Sequence, residues 1–167
     1  MWLFVRGRLS RVNADFTKNT HYLAKSAIAR APALAQTSPM PQQVVMGAML
    51  QCSFGAAPCS LIVLPTNRVN APTPAATIAD SIALTNIPTF GMCSSLANPT
   101  VATATTAASG VLTPMPCVPA TGTPWTVGAI TVLIGSIPAL DNISTCMCSY
   151  AGVVAITSPG QGQMQIP

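Results

Sequence analysis

Half of the residues in this chain are hydrophobic, yet no window holds the ~18 unbroken apolar residues that a membrane-spanning helix needs. Pro, Gly, Thr, Ser or Asn cuts the apolar stretches every few residues, and the chain carries 16 prolines and 11 glycines. What survives between the breakers is of strand length. The runs are "QQVVMGAMLQCSF" from Gln42, "CSLIVLP" ended by Pro65, "GAITVLIGSIPAL" with Gly128 and Gly135 bounding its core, and "YAGVVAITSPGQ" closed by Pro159-Gly160. One stretch has helix signals. Asn98 stands at an N-cap position, Pro99 at the first helical position, and Gly110 can end the segment "TVATATTAASGVL". Its threonine content leaves a loop as the competing reading. The fold class expected from this pattern is mainly β, a small compact domain with at most one or two short helices.

Charge divides the chain. Only 6% of residues are charged, against roughly 25% in an ordinary soluble domain. Arg6, Arg8, Arg11, Lys18, Lys25 and Arg30 all precede residue 40, as does His21. Residues 1–39 therefore read as a basic, Ala-rich leader, disordered or preceding a true start at Met40. The segment lacks the apolar stretch of about 7–15 residues that a secretory signal requires. Residues 40–161 read as the folded domain, and 162–167 as a frayed tail. From Met40 onward the formal charges are Arg68, Asp80 and Asp141, one positive and two negative, leaving a net −1. A body with no basic patch lacks the phosphate-neutralising term that dominates nucleic-acid affinity, so nucleic acid is not an expected partner.

The same scarcity excludes most catalysis. The body contains no His, Lys or Glu, the groups that with Asp carry most general acid–base chemistry. Any Ser-His-Asp or Cys-His site is excluded because its base is missing. Asp80 in "TIADS" and Asp141 in "ALDNIS" stand in turn contexts, where Asp serves local backbone hydrogen bonds. Asn142-Ile143-Ser144 matches a glycosylation sequon and is read as a chance match. The one constellation is sulfur: Cys52, Cys59, Cys93, Cys117, Cys146 and Cys148, all but Cys146 directly beside Pro or Ser. Their spacing fits no familiar zinc-finger pattern. Three readings stay open: a tetrahedral thiolate metal site, disulfides, or buried thiols acting as small hydrophobes.

The body also carries a series of motifs in fixed order: "GAMLQCSFG" (47–55), "LIVLPTNRV" (61–69), "NIPTFGMCSSLANPTVA" (86–102), "LTPMPCVP" (112–119), "PW" (124–125), "VLIGSIPAL" (132–140) and "CSYAGVVAITSPGQ" (148–161). In this order and spacing the chain resembles the PAAR-like proteins, from about Val44 to Gln161. The resemblance implies a small β-rich cone that caps the trimeric VgrG-like spike of a type VI secretion or related phage-like contractile injection system. It implies a bacterial cytoplasmic protein that is delivered with the spike and passes transiently through a target membrane. It further implies a structural metal, with Cys52, Cys93, Cys117 and Cys148 as the expected ligands of one zinc ion, and Cys59 and Cys146 as extras. Where the family usually has two glycines before its last strand, this chain has Ala151-Gly152. On this reading the protein is not an enzyme. An adaptor that links an effector to the spike is the alternative, and a thiol redox protein resting on Cys146-Met147-Cys148 is a distant third.

Overall fold

The computed structural model describes residues 40–167; the expected leader, residues 1–39, lies outside the described residues. The elements are strands β1 (Met49–Cys52), β2 (Cys59–Ser60) and β3 (Met92–Cys93), helix α1 (Pro99–Ala107), and strands β4 (Met115–Pro116), β5 (Ala129–Ile134), β6 (Ile137–Ala139), β7 (Thr145–Met147) and β8 (Val153–Ser158). A four-stranded antiparallel sheet runs β2-β1-β8-β7, and β3-β4 and β5-β6 form two-stranded ribbons. The expected mainly β domain with one short helix is what forms.

Breakers shape each element. The run "GAITVLIGSIPAL" does not stay one strand. Gly135 and Ser136 both take left-handed φ (57° and 71°) and turn the chain back into the β5-β6 hairpin. Two successive positive φ values give the turn whose twist matches paired strands. The run at Cys59 keeps only two residues in the ladder. Ile62 instead donates to the Asn86 carbonyl, and Pro65–Asn67 coil into a 3₁₀ turn. Helix α1 forms despite its threonines. Asn98 Oδ1 accepts from the Thr100 amide at 3.1 Å, Pro99 occupies the first turn, and Thr103 and Thr106 hydroxyls bond back to the carbonyls four residues earlier. The helix is shallow, with Val101 its one buried residue.

Two apolar clusters result. The larger one packs the inward sheet face (Leu50, Cys52, Cys59, Cys146, Val154) against Leu61, Ile87, Phe90, Cys93, Val101, Cys117, Trp125 and Leu140. The smaller one gathers Val45, Ala71, Ala75, Ala129, Ile134, Ala139 and Ile166. Ile166 belongs to the segment read from sequence as a frayed tail. In the structure that segment is docked: the Ile166 amide donates to Pro41, Gln161 Nε2 donates to the carbonyls of Gln43 and Met164, and Ile166 is buried. One buried isoleucine and a glutamine that satisfies four backbone bonds hold a tail whose composition looked like linker.

Both aspartates serve local structure. Asp80 accepts from the Thr77 amide (2.8 Å) and hydroxyl (3.0 Å) and from Asn86 Nδ2. Buried Asp141 accepts from the Ser144 hydroxyl. Ser144 also takes the Gly128 amide, and Asn142 Oδ1 takes the Gln42 amide at 2.7 Å. The sequon residues are thus engaged in the fold.

Candidate metal centre

The period-2 alternation of strands places four of the six cysteines along one face of the main sheet. Cys59 stands opposite Leu50, and Cys52 and Cys146 both stand opposite Val154. Cys148 follows β7 by one residue, in the turn that leads into β8, where its amide donates to the Gly152 carbonyl at 2.8 Å. The other two cysteines come from the β3-β4 ribbon. Cys93 is paired with Met115, and the Cys117 amide donates to the Gly91 carbonyl at 2.7 Å. Backbone bonds fasten ribbon to sheet: Ser94 to Phe54, Ala56 to Met92, Ala57 to Phe90, and the Ser95 hydroxyl to the Tyr150 carbonyl.

Between sheet and ribbon lies a cavity of about 10 Å³ lined by Cys52 and Cys148 from the sheet side and Cys93 and Cys117 from the ribbon side. Phe54, Phe90, Tyr150 and Gly152 complete most of its wall. The four cysteines singled out by the family resemblance all line this cavity, and Cys59 and Cys146 do not. Such a space holds about one water-sized occupant. Its exposed walls are apolar apart from sulfur, so a water there would lack the two to four polar partners that retain it.

Gly152 is required by this packing. A Cβ at its position would stand 2.9 Å from Cys52 Sγ and 3.5 Å from Cys148 Cβ, which brings both cysteine side chains to the same spot. The residue before it, Ala151, takes a left-handed φ of 61°. The place where this chain departs from the double glycine is thus a position that favours glycine.

All six cysteines are buried and free. Burial pushes the Cys52 and Cys117 thiols up, and backbone amides oppose the rise, those of Phe54 and Gly55 at Cys52 and that of Phe90 at Cys117. Amides aimed at sulfur favour the thiolate. Cys146 is different. Burial pushes it up to about 11, and its S–H points at the Thr123 carbonyl at 3.5 Å, a partner for a neutral thiol.

The donor set suits a soft divalent ion, since four thiolates make a closed tetrahedral site for zinc. As the side chains stand, no group of three or more His, Cys, Asp or Glu among the described residues is arranged to hold a metal ion. Lining one cavity is a weaker condition than presenting sulfurs at bonding distance, so binding would require the four sulfurs to converge by side-chain movement. Sequence reasoning from the residues alone could not choose among the six cysteines. The signal lies in the alternation of β1 and in Gly152.

A family model described as a domain of unknown function, DUF4280, matches residues 44–161. The chain belongs to this family. The match runs from the first buried valine of the main cluster past the end of β8 and covers all four cavity cysteines. No curated protein and no solved structure matches the chain.

Proposed function

We propose that this DUF4280 domain is a non-enzymatic tip protein that caps the trimeric spike of a type VI secretion or related contractile injection system. The observation that carries the reading is a surface that, among the described residues, is almost without charge and rich in apolar side chains. Asp141 is buried and Asp80 is tied to Thr77 and Asn86. Around the β5-β6 hairpin, by contrast, Val127, Ile130 and Leu133 are 68%, 77% and 60% exposed. Exposed apolar side chains on a short strand suit the end of a β-structured partner, whose open edges need covering. Few charges also suit transient passage through a bilayer, where each costs roughly 2.5 kcal/mol or more near the centre.

In this reading the four-cysteine cavity holds one structural zinc ion. Cys52, Cys93, Cys117 and Cys148 would bind it as thiolates and staple ribbon to sheet, and zinc supplies cross-linking there, not chemistry on a substrate. A small domain gains much of its stability from such a staple. The test is co-purification of the full chain with its cognate trimeric spike protein. Stable binding that Ile130→Asp or Leu133→Asp weakens is the expected result. No binding by a folded, metal-replete protein would overturn the cap. Elemental analysis tests the metal separately: about one zinc per chain is expected, with a chelator lowering the melting temperature, and clearly substoichiometric metal defeats that part.

A further inference from the structure

Cys59, like Cys146, is a buried thiol that does not line the cavity. It lies on β2, directly opposite Leu50 of β1, so it points to the same sheet face as Leu50 and Cys52. A diagonal neighbour in an antiparallel pair lies roughly 7–8 Å away between Cα atoms, less between side chains. Cys59 therefore stands diagonally behind Cys52, within the cluster that contains Cys52, Cys93 and Cys117. Cys117 and Cys52 are the two cavity thiols near enough to interact with it electrostatically, and both share its buried cluster. Unlike Cys146, whose S–H points at the Thr123 carbonyl, Cys59 makes no side-chain hydrogen bond among the described residues. The strand order β2-β1-β8-β7 puts it at the sheet edge opposite the one from which Cys148 emerges. Three strand spacings separate those edges, roughly 14 Å.

We propose that Cys59 is a reserve thiolate for the metal cavity, able to take the coordination position of Cys117 or Cys52 when either is lost, but not that of Cys148. The proposal rests on the metal reading above. On taking up the position Cys59 loses its proton to solvent and adds one negative charge, so the number of thiolates is restored. A domain exposed to oxidants after release would in this way keep its staple after one ligand is damaged.

The experiment uses the full chain, reduced and metal-free, titrated with Co(II) and then Zn(II). The readouts are the sulfur-to-cobalt charge-transfer absorption, which reports thiolate number, and the dissociation constant. Losing an outer-shell partner alone costs about 10–100-fold in metal affinity, so losing a ligand outright costs at least that. Cys117→Ser is expected to keep a four-thiolate spectrum and bind within about tenfold of the unsubstituted chain. Cys59→Ser alone is expected to be unchanged, and Cys117→Ser with Cys59→Ser to bind at least about tenfold more weakly than Cys117→Ser, with a three-thiolate spectrum. Cys148→Ser should show three thiolates whether or not Cys59 is present. Where Cys117→Ser fails to fold, Cys52→Ser with and without Cys59 makes the same comparison. Equal binding by the single and double variants overturns the reserve role while leaving the four-cysteine site standing. Failure of the unsubstituted chain to bind either metal overturns both.

Discussion

Replacing Gly152 by alanine isolates the contact on which the cysteine cavity is built. The new methyl would sit 2.9 Å from Cys52 Sγ, closer than real Cβ contacts come, while its 3.5 Å from Cys148 Cβ and 3.7 Å from Phe54 Cδ2 are ordinary. Cys52 Sγ is therefore the atom that must move, by rotating away from Gly152 in the packed cavity, because the Cys52 backbone is held in β1 opposite Val154. Overpacking of this kind typically costs about 1–3 kcal/mol. For a domain of this size that corresponds to a fall in melting temperature of about 4–12 °C. The assay is thermal unfolding followed by circular dichroism, with chelator and reductant present so that metal plays no part. The reasoning makes a stronger claim about coupling. With Cys52→Ala the offending sulfur is gone, so Gly152→Ala should cost at least about 1 kcal/mol less in that background. Equal cost in both backgrounds, or no cost in either, would refute the assignment of Gly152 as the residue that lets Cys52 and Cys148 approach.

Four further outcomes are expected. Ala151→Gly relieves a left-handed alanine at φ 61° and should stabilise the domain by about 0.5–1 kcal/mol; a lower melting temperature would show that Ala151 is held by contacts instead. Asn98→Ala removes the side-chain cap on the Thr100 amide and should cost about 1 kcal/mol, with a small loss of helical signal. Ile166→Ala should cost about 2 kcal/mol or more in chemical denaturation, because the buried tail closes the smaller cluster; a neutral result would restore the frayed-tail reading. Burial pushes the Cys59 and Cys146 thiols from 9.0 up to about 11. The folded state then holds protons that the unfolded state has released, so their contribution is full below pH 9 and is lost as pH rises through about 11. Stability of the metal-free protein should fall across that window, and less steeply in a Cys59→Ala, Cys146→Ala variant.

Breakers and alternation made the fold class legible before any coordinates. Pro159-Gly160 bounds β8 as written, whereas the run before Pro65 leaves the ladder already after Ser60, and Asn98-Pro99 opens a real helix because cap and first turn are local decisions. The sequence misled where a long-range contact overrides local character. Gly135 ends β5 as read, and its left-handed φ, shared with Ser136, also makes that end the hinge of a hairpin whose second strand the run did not announce. Residues 162–167 looked like linker because a single isoleucine carries no periodicity, and only the facing surface of Val45, Ala71 and Ala75 explains its burial. Within the candidate site, the sequence marks β1 clearly, since Leu50 and Cys52 alternate with exposed or half-exposed neighbours. Nothing local links Cys93 or Cys117 to Cys148. They meet because the turn 53–57 bonds to β3 while the Ser95 hydroxyl reaches the Tyr150 carbonyl.

Electrostatics decides how such a cavity can work in so uncharged a domain. A divalent ion held by four thiolates leaves a local charge of −2. The one cation among the described residues, Arg68, does not line the cavity. Compensation therefore falls to backbone dipoles, and the amides of Phe54, Gly55 and Phe90 are already turned toward Cys52 and Cys117. Without the ion the same amides only partly offset burial, and the Cys52 and Cys117 thiols hold their protons more tightly than free cysteine does. Ion and proton would thus compete for the same sulfurs, so any metal occupancy of the cavity would weaken as pH falls, opposite in direction to the alkaline loss expected of the metal-free protein. A domain built this way needs no charged side chain at its centre. Its thiols are small hydrophobes when protonated and would become ligands if an ion drew the protons off, and the −2 then left at the site would fall to the amides of Phe54, Gly55 and Phe90 to offset.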